Sequence, residues 1–220
     1  MSTITAAMED YLKVIYMLEE SGERVTTQAI AERMSVAAPS ATGMIKRLAD
    51  INLIDYERYR SIELTPAGRK IALEVVRHHR LLELYLAEAL GYGWDEVHDE
   101  ADRLEHTISE EFEARIDRAL GFPTADPHGD PIPTMSGEVP STSVSRLSTI
   151  ETGGRAVVIR VAGGDGAKLR YFSEIGLIPR ADVTVVERMP FNGPLRIRID
   201  GQEHVIGFDL ATEIFVSAAA

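Results

Sequence analysis

Apolar positions recur at helical spacing through the first third of the chain. In MEDYLKVIYMLEE, residues 8–20, Tyr11, Ile15 and Leu18 fall on one face with Val14 beside them, which predicts an amphipathic helix. TTQAIAERM, 26–34, predicts a second helix with Thr26 as its N-cap. SVAA is a turn. PSATGMIKRLAD, 39–50, predicts a third helix that starts at Pro39, where a missing N–H costs nothing. INLIDYERYRSIELT alternates as a short hairpin with RYRS near its tip. Helix, helix, turn, helix, hairpin is the order of a winged helix-turn-helix. TPAGRKIALEVVRHHRLLELYLAEALG then reads as one long helix that breaks at Gly91–Gly93, and WDEVHDEADRLEHTISEEFEARIDRALG as a helix with a second one after Ile108.

After Gly121 the pattern changes. PTADPHGDPIPTMSGEVPSTSVSRLS is rich in Pro, Gly and Ser, the composition of a loop followed by a linker. From about 152 short strands dominate, RAVVIRV, ADVTVVERM, PLRIRID and HVIGF, with one short helix, AKLRYFSEIG, and they predict a small barrel. The expected fold is mainly α with a small β domain. Its parts are a winged helix-turn-helix over 1–73, a helical domain over 74–140, a linker over 141–151 and the β domain over 152–220.

The 220 residues suffice for one large domain or two to three small ones. No apolar run approaches the roughly 18–20 residues that span a bilayer, and the N-terminus does not read as a signal peptide. The absence of cysteine excludes disulfides and thiolate metal sites and points to a cytoplasmic protein. A net charge of −12 argues against nucleic acid until its distribution is read. Residues 1–73 carry 9 Lys/Arg against 10 Asp/Glu, residues 74–140 carry 5 against 16, and residues 141–220 carry 9 against 9. The middle third therefore holds −11 of the −12, and a nearly neutral N-terminal module can present a local basic face.

That acidic third contains HDEADRLEH, 98–106, with two histidines and four carboxylates in nine positions. His98, Asp102, Glu105 and His106 are spaced i, i+4, i+7 and i+8, one face of a continuous helix. His79 and Glu83 form an i, i+4 pair on the preceding long helix, and Asp10 lies on the first helix. Imidazole with carboxylate suits Mn, Fe, Co, Ni or Zn, and the excess of oxygen donors leans toward harder ions. A solvated face of salt-bridge residues has the same spacing, so both readings stand on spacing alone. His78, His128 and His204 read as structural or solvated.

The predicted third helix opens with Pro39, Ser40, Thr42 and Gly43, small enough to approach a DNA edge or backbone. Lys46 and Arg47 on that helix, with Arg58 and Arg60 on the wing, are candidate phosphate contacts. Each alone reads as an ordinary surface charge, and together, on an otherwise acidic chain, they favour DNA.

The chain resembles the diphtheria-toxin-repressor family of metal-dependent bacterial repressors, which includes iron- and manganese-dependent regulators. The likeness rests on MEDYLKVIYML, IAERMSVAAPS, LTPAGR, RHHRLLE, VHDEADRLEH and DPHGDPIP, in that order. LRYFSEIGLIPRADVTVV looks like the SH3-like, FeoA-type domain of three-domain members. The resemblance implies a helical metal-binding and dimerisation domain in the middle, a homodimer, a double-stranded DNA operator, and two metal sites per subunit. It implies a primary site of Asp10, Asp102, Glu105 and His106. It also implies an ancillary site of His79, Glu83 and His98, with third-domain ligands near Asp165 and Lys168. Asp165 suits that role and Lys168 does not.

The iron-sensing branch of the family carries Met at the position of Asp10 and Cys at that of Asp102. Carboxylates there favour Mn(II), with Fe(II) as the alternative. Relatives of the manganese branch have an acidic residue at the position of Lys13. A lysine there is a fixed positive charge and disfavours two closely spaced ions. The expectation is a Mn(II)-activated transcriptional repressor of metal-homeostasis genes. It is not an enzyme and has no membrane partner and no small organic substrate. The rival is a metal-dependent hydrolase, which needs an open coordination position and a general base. It leaves the winged helix unexplained.

Overall fold

The computed structural model describes residues 4–57, 61–140, 143–163 and 165–218. The chain divides into two compact units. The first comprises residues 1–79, 104–109 and 133–138, and the second 80–103, 110–132 and 139–220.

The first unit is built on α1 (Ala6–Glu20), α2 (Thr27–Arg33) and α3 (Ala38–Asp50). Met8, Leu12, Ile15 and Leu18 of α1 are buried with Ile30 of α2 and Ala41, Ile45 and Leu48 of α3, so three apolar stripes close one core. Thr26 caps α2 by accepting the Ala29 N–H at 3.1 Å. The tight α2–α3 turn places Ser35 at φ +54°. α3 begins at Ala38, one residue before the expected start, so Pro39 occupies its second position, where its N–H would also lack an intrahelical partner. β1 (Ile54–Asp55) and β2 (Glu63–Leu64) pair antiparallel as the wing. The tip of that wing, with Arg58 and Arg60, lies outside the described residues.

α4 (Pro66–Leu90) starts with Pro66 at its first position, and Thr65 Oγ1 accepts the Gly68 N–H at 3.1 Å. The helix continues from the first unit into the second at His79/Arg80.

One expectation about the acidic cluster fails. α5 spans Val97–Leu104 and stops before Glu105 and His106. The Thr107 amide and hydroxyl both bond the Leu104 carbonyl, at 2.9 and 2.8 Å, and turn the chain there. The four residues of the expected single face are therefore divided. His98 and Asp102 are on α5 in the second unit, and Glu105 and His106 are in a turn of the first. α6 (Glu110–Ala119) follows, as expected after Ile108.

The second unit carries a six-stranded antiparallel sheet, order β3-β8-β4-β5-β6-β7. Its strands are β3 (Ser145–Arg146), β4 (Arg155–Val161), β5 (Asp182–Arg188), β6 (Leu195–Ile199), β7 (Gln202–Ile206) and β8 (Ile214–Ala218). β3 lies within the stretch expected to be linker, and it pairs with β8. Alternate residues of β6, Leu195, Ile197 and Ile199, enter a core with Val158, Val183, Val185 and Val216. α7 (Gly166–Glu174) adds Leu169 and Phe172 to that core, and α8 (Phe208–Thr212) adds Ala211.

Candidate metal centre

In the first unit, Glu9, Asp10 and Lys13 lie three and four residues apart on α1 and so share a side. The turn after α5 brings Glu105 and His106 to that side. His106 Nε2 is 2.7 Å from Asp10 Oδ1 and 3.4 Å from Glu105 Oε1, while its Nδ1 is 2.6 Å from Glu9 Oε2. Glu9 is placed to accept a hydrogen bond from the Nδ1–H, which turns Nε2 toward the two carboxylates. A carboxylate on the far ring nitrogen is the usual way of orienting a metal-ligating imidazole. Ligand atoms of Asp10, Glu105 and His106 all lie within 4.8 Å of one another.

Glu105 is 1% exposed and stands at the middle of this group. Lys13 Nζ donates to both its carboxylate oxygens, at 2.9 and 2.7 Å, and lies 3.1 Å from His79 Nδ1. His79 Nδ1 is 2.5 Å from Glu105 Oε2, and His78 Nδ1 donates to the Glu105 backbone carbonyl at 3.0 Å. The sequence pattern did not mark Glu9 as an orienting residue, although it adjoins Asp10.

In the second unit, Glu83 is the hub. Its Oε1 is 3.0 Å from His98 Nδ1 and its Oε2 is 3.7 Å from His128 Nδ1. Ligand atoms of Glu83, Asp126 and His128, all three buried, lie within 4.8 Å of one another. His128 Nε2 donates to the Trp94 carbonyl at 2.8 Å, which leaves Nδ1 to face the two carboxylates. Burial opposes the charged ring, but the contact with Glu83, the charges of Glu83 and Asp126 and the Trp94 carbonyl outweigh it and raise the His128 pKa to about 9. Burial, then the charges of Asp130 and Glu83, hold the Asp126 carboxyl well above the usual carboxylate range. Buried carboxylates that repel one another beside an imidazole are a donor set that fits a divalent cation, which would replace the proton of the His128 ring in offsetting their charge.

Asp126 and His128 were not among the expected ligands. Their signal was the Asp-x-His spacing inside DPHGDPIP. His98 Nε2 is also 3.7 Å from Asp102 Oδ2. Asp165 caps α7, its Oδ1 accepting the N–H groups of Ala167 and Lys168 at 3.0 and 3.2 Å. Among the described residues it joins none of the converging groups. Lys168 pairs with Glu213 at 2.7 Å.

On α3, Pro39, Ser40, Gly43, Lys46 and Arg47 are exposed opposite the buried stripe. Thr42 is half-buried and its hydroxyl donates to the Ala38 carbonyl at 2.8 Å. A Cβ at Gly43 would meet nothing within 4 Å, so the packing of this unit does not require glycine there.

Family models cover three stretches of the chain. They are the iron dependent repressor N-terminal DNA-binding domain over 3–62, the iron dependent repressor metal binding and dimerisation domain over 65–134, and the FeoA domain over 145–218. The iron-dependent repressor IdeR of Mycobacterium tuberculosis is 36% identical over 217 residues, 93% of this chain and 94% of that protein. The chain belongs to the diphtheria-toxin-repressor family.

Members of this family are metal-dependent, DNA-binding transcriptional repressors. The diphtheria toxin repressor of Corynebacterium glutamicum is 34% identical over 80% of this chain and 75% of its own. A solved structure described as a manganese-dependent transcriptional repressor in complex with manganese matches with a TM-score of 0.91. It is 42% identical and the match covers 96% of this chain and all of that one. The manganese regulator SloR matches with a TM-score of 0.82 at 33% identity, over 96% of this chain and 98% of its own. The family assignment gives the three parts of the fold their roles: an N-terminal DNA-binding domain, a helical metal-binding and dimerisation domain and a C-terminal FeoA-like sheet domain. No described helix is long and apolar enough to cross a membrane.

Proposed function

We propose that the chain is a homodimeric repressor activated by Mn(II), with Fe(II) as the alternative metal, that acts in the cytoplasm on operators of metal-homeostasis genes and catalyses no reaction. The observation that carries this reading is the convergence of Asp10, on the helix that supports the helix-turn-helix, with Glu105 and His106, some 95 residues later in the chain. These three hold the primary ion, and Asp102, carried by α5, is the fourth ligand by the family's pattern. Glu83, Asp126 and His128 hold the second ion. His98 bonds Glu83, and His79 stands one turn before Glu83 on α4. Asp165 serves as a helix cap. Two ions per chain follow.

A bound divalent cation supplies the positive charge that lets these carboxylates converge without repelling one another. Lys13 supplies a permanent positive charge on the inner side of Glu105, so the primary centre needs one ion and not two. Asp10 and His106 then tie α1 to the 104–109 turn, and α1 carries α2 and α3 with it through the shared core. Coordination thereby favours one placement of the recognition helix. Its differential affinity for that placement bounds how far it shifts the equilibrium. The spacing of the two recognition helices in a dimer must match the half-site spacing of the duplex.

Pro39, Ser40, Thr42 and Gly43 present the start of α3 to the DNA, and Lys46 and Arg47 pair with phosphates, as do Arg58 and Arg60 of the wing. Lys46→Ala should lower affinity on all sequences alike and flatten the dependence of log affinity on log salt by about one unit, as read by fluorescence anisotropy at several salt concentrations. An unchanged slope would remove Lys46 from the contact set. Glycine inside a helix costs about 1 kcal/mol relative to alanine. Gly43→Ala should therefore raise thermal stability by about that amount while weakening DNA binding, because a methyl group would separate the helix from the duplex. Equal or tighter DNA binding by the alanine variant would show that α3 does not approach the duplex at Gly43.

A further inference from the structure

The second unit holds His128 by more than its side chain. The loop from Asp126 to Ile132 lies along β4, and the His128 carbonyl accepts the Val161 N–H at 3.0 Å. β4 is bulged against β8 between Val158 and Arg160, so Ile159 has no partner in that ladder. Gly129 sits against the bulge. A Cβ there would lie 2.0 Å from the Ile159 carbonyl oxygen and 2.9 Å from the Arg160 Cα, and φ is +88°, so glycine is required on both counts. Asp130 accepts from Arg160 Nη1 at 3.0 Å, and the Arg160 guanidinium lies 3.9 Å over the Phe215 ring. The imidazole itself is fixed from the other side by the Trp94 carbonyl, and the Trp94 ring packs against the core of the sheet.

We propose that the FeoA-like domain sets the affinity of the second cation centre through this backbone clasp on His128 and Gly129. Gly129 is the positioning residue. The proposal rests on the reading of Glu83, Asp126 and His128 as ligands. Because the clasp fixes the ring that must present Nδ1, ion binding and clasp formation stabilise each other. The coupling is reciprocal, since each must favour the other by the same factor.

The test uses the full-length chain and Mn(II) as the probe, in calorimetric titrations. Wild type should bind two ions per chain, and Glu83→Gln one. Gly129→Ala should weaken the second event at least tenfold and leave the first unchanged, and Arg160→Ala should weaken the second event severalfold. A second measurement does not depend on a disruptive variant. In His106→Ala protein, where only the second centre remains, Mn(II) should slow hydrogen exchange of the β4 peptide containing Val161. In the His106→Ala, Glu83→Gln double variant it should not. If Glu83→Gln loses the second ion while Gly129→Ala keeps it at wild-type affinity, the clasp is overturned and the ligand reading stands. If Glu83→Gln still binds two ions, the ligand reading fails and takes the proposal with it. β4 exchange unchanged by Mn(II) in His106→Ala protein likewise overturns the clasp.

Discussion

His106→Ala protein should fold, dimerise and lose metal-activated DNA binding by about 100-fold or more. The imidazole joins α1 to the 104–109 turn through Asp10, at 2.7 Å, and through Glu9, at 2.6 Å. Its removal deletes the proposed ligand and that bridge together. A 100-fold loss corresponds to about 2.7 kcal/mol, within reach of a single ligand. His106 is a cleaner test than Glu105. Glu105→Ala would leave the Lys13 ammonium buried without its carboxylate, and removing one member of a buried ion pair costs about 3–5 kcal/mol of folding stability by itself. The loss should be read from operator affinity in titrations with Mn(II), with thermal melting as the check on folding. Wild-type activation by Mn(II) in the alanine variant would exclude His106 as a ligand.

The double change Asp10→Met with Asp102→Cys should reorder the metals. If both carboxylates are donors as proposed, two hard oxygens become sulfur, and soft donors favour Fe(II), Co(II) and Ni(II) over Mn(II). Mn(II) lies at the weak end of the divalent affinity series, so no ligand set makes it the tightest binder outright. An oxygen-rich centre narrows its disadvantage, and the availability of the ion does the rest. We expect the concentration for half-activation by Mn(II) to rise about tenfold or more relative to that of Co(II) or of Fe(II), the latter measured anaerobically. An unchanged order of potencies would show that these two positions do not set selectivity, and the preference for manganese would lose its main support.

The N-terminal helices were legible because their signals are local. Tyr11, Ile15 and Leu18 mark the inner face of α1, Thr26 caps α2, and Pro39 stands in the first turn of α3. The acidic cluster was legible as chemistry but not as geometry. Its spacing continued the helical face through Glu105 and His106, whereas Thr107 ends the helix by bonding back to Leu104. That turn is what carries Glu105 and His106 to α1. Lys13 showed the opposite behaviour. In the sequence it is a fixed positive charge, and the structure adds the partner that charge serves, Glu105, 92 positions away. No periodicity encodes such a pair.

Asp126 and His128 were hidden for a related reason. They lie in a Pro- and Gly-rich stretch that composition assigns to a loop. The stretch is nonetheless ordered by Asp126, whose Oδ1 accepts the N–H groups of His128 and Asp130 at 2.8 and 2.9 Å. Both residues are buried, and a burial of that kind depends on the sheet domain that follows. Asp165 stands just before a helix, where a carboxylate can cap it, and its Oδ1 caps α7.

Metal occupancy should control DNA binding. Duplexes selected from a random library by the Mn(II)-loaded protein supply the DNA ligand, whatever the natural operator is. Their affinity is then measured by anisotropy at one fixed salt concentration, first with chelator and then with saturating Mn(II). Binding should be at least about 100-fold tighter with Mn(II), the size of shift that a few kcal/mol of differential metal affinity supports. Equal affinity in chelator and in Mn(II) would contradict it.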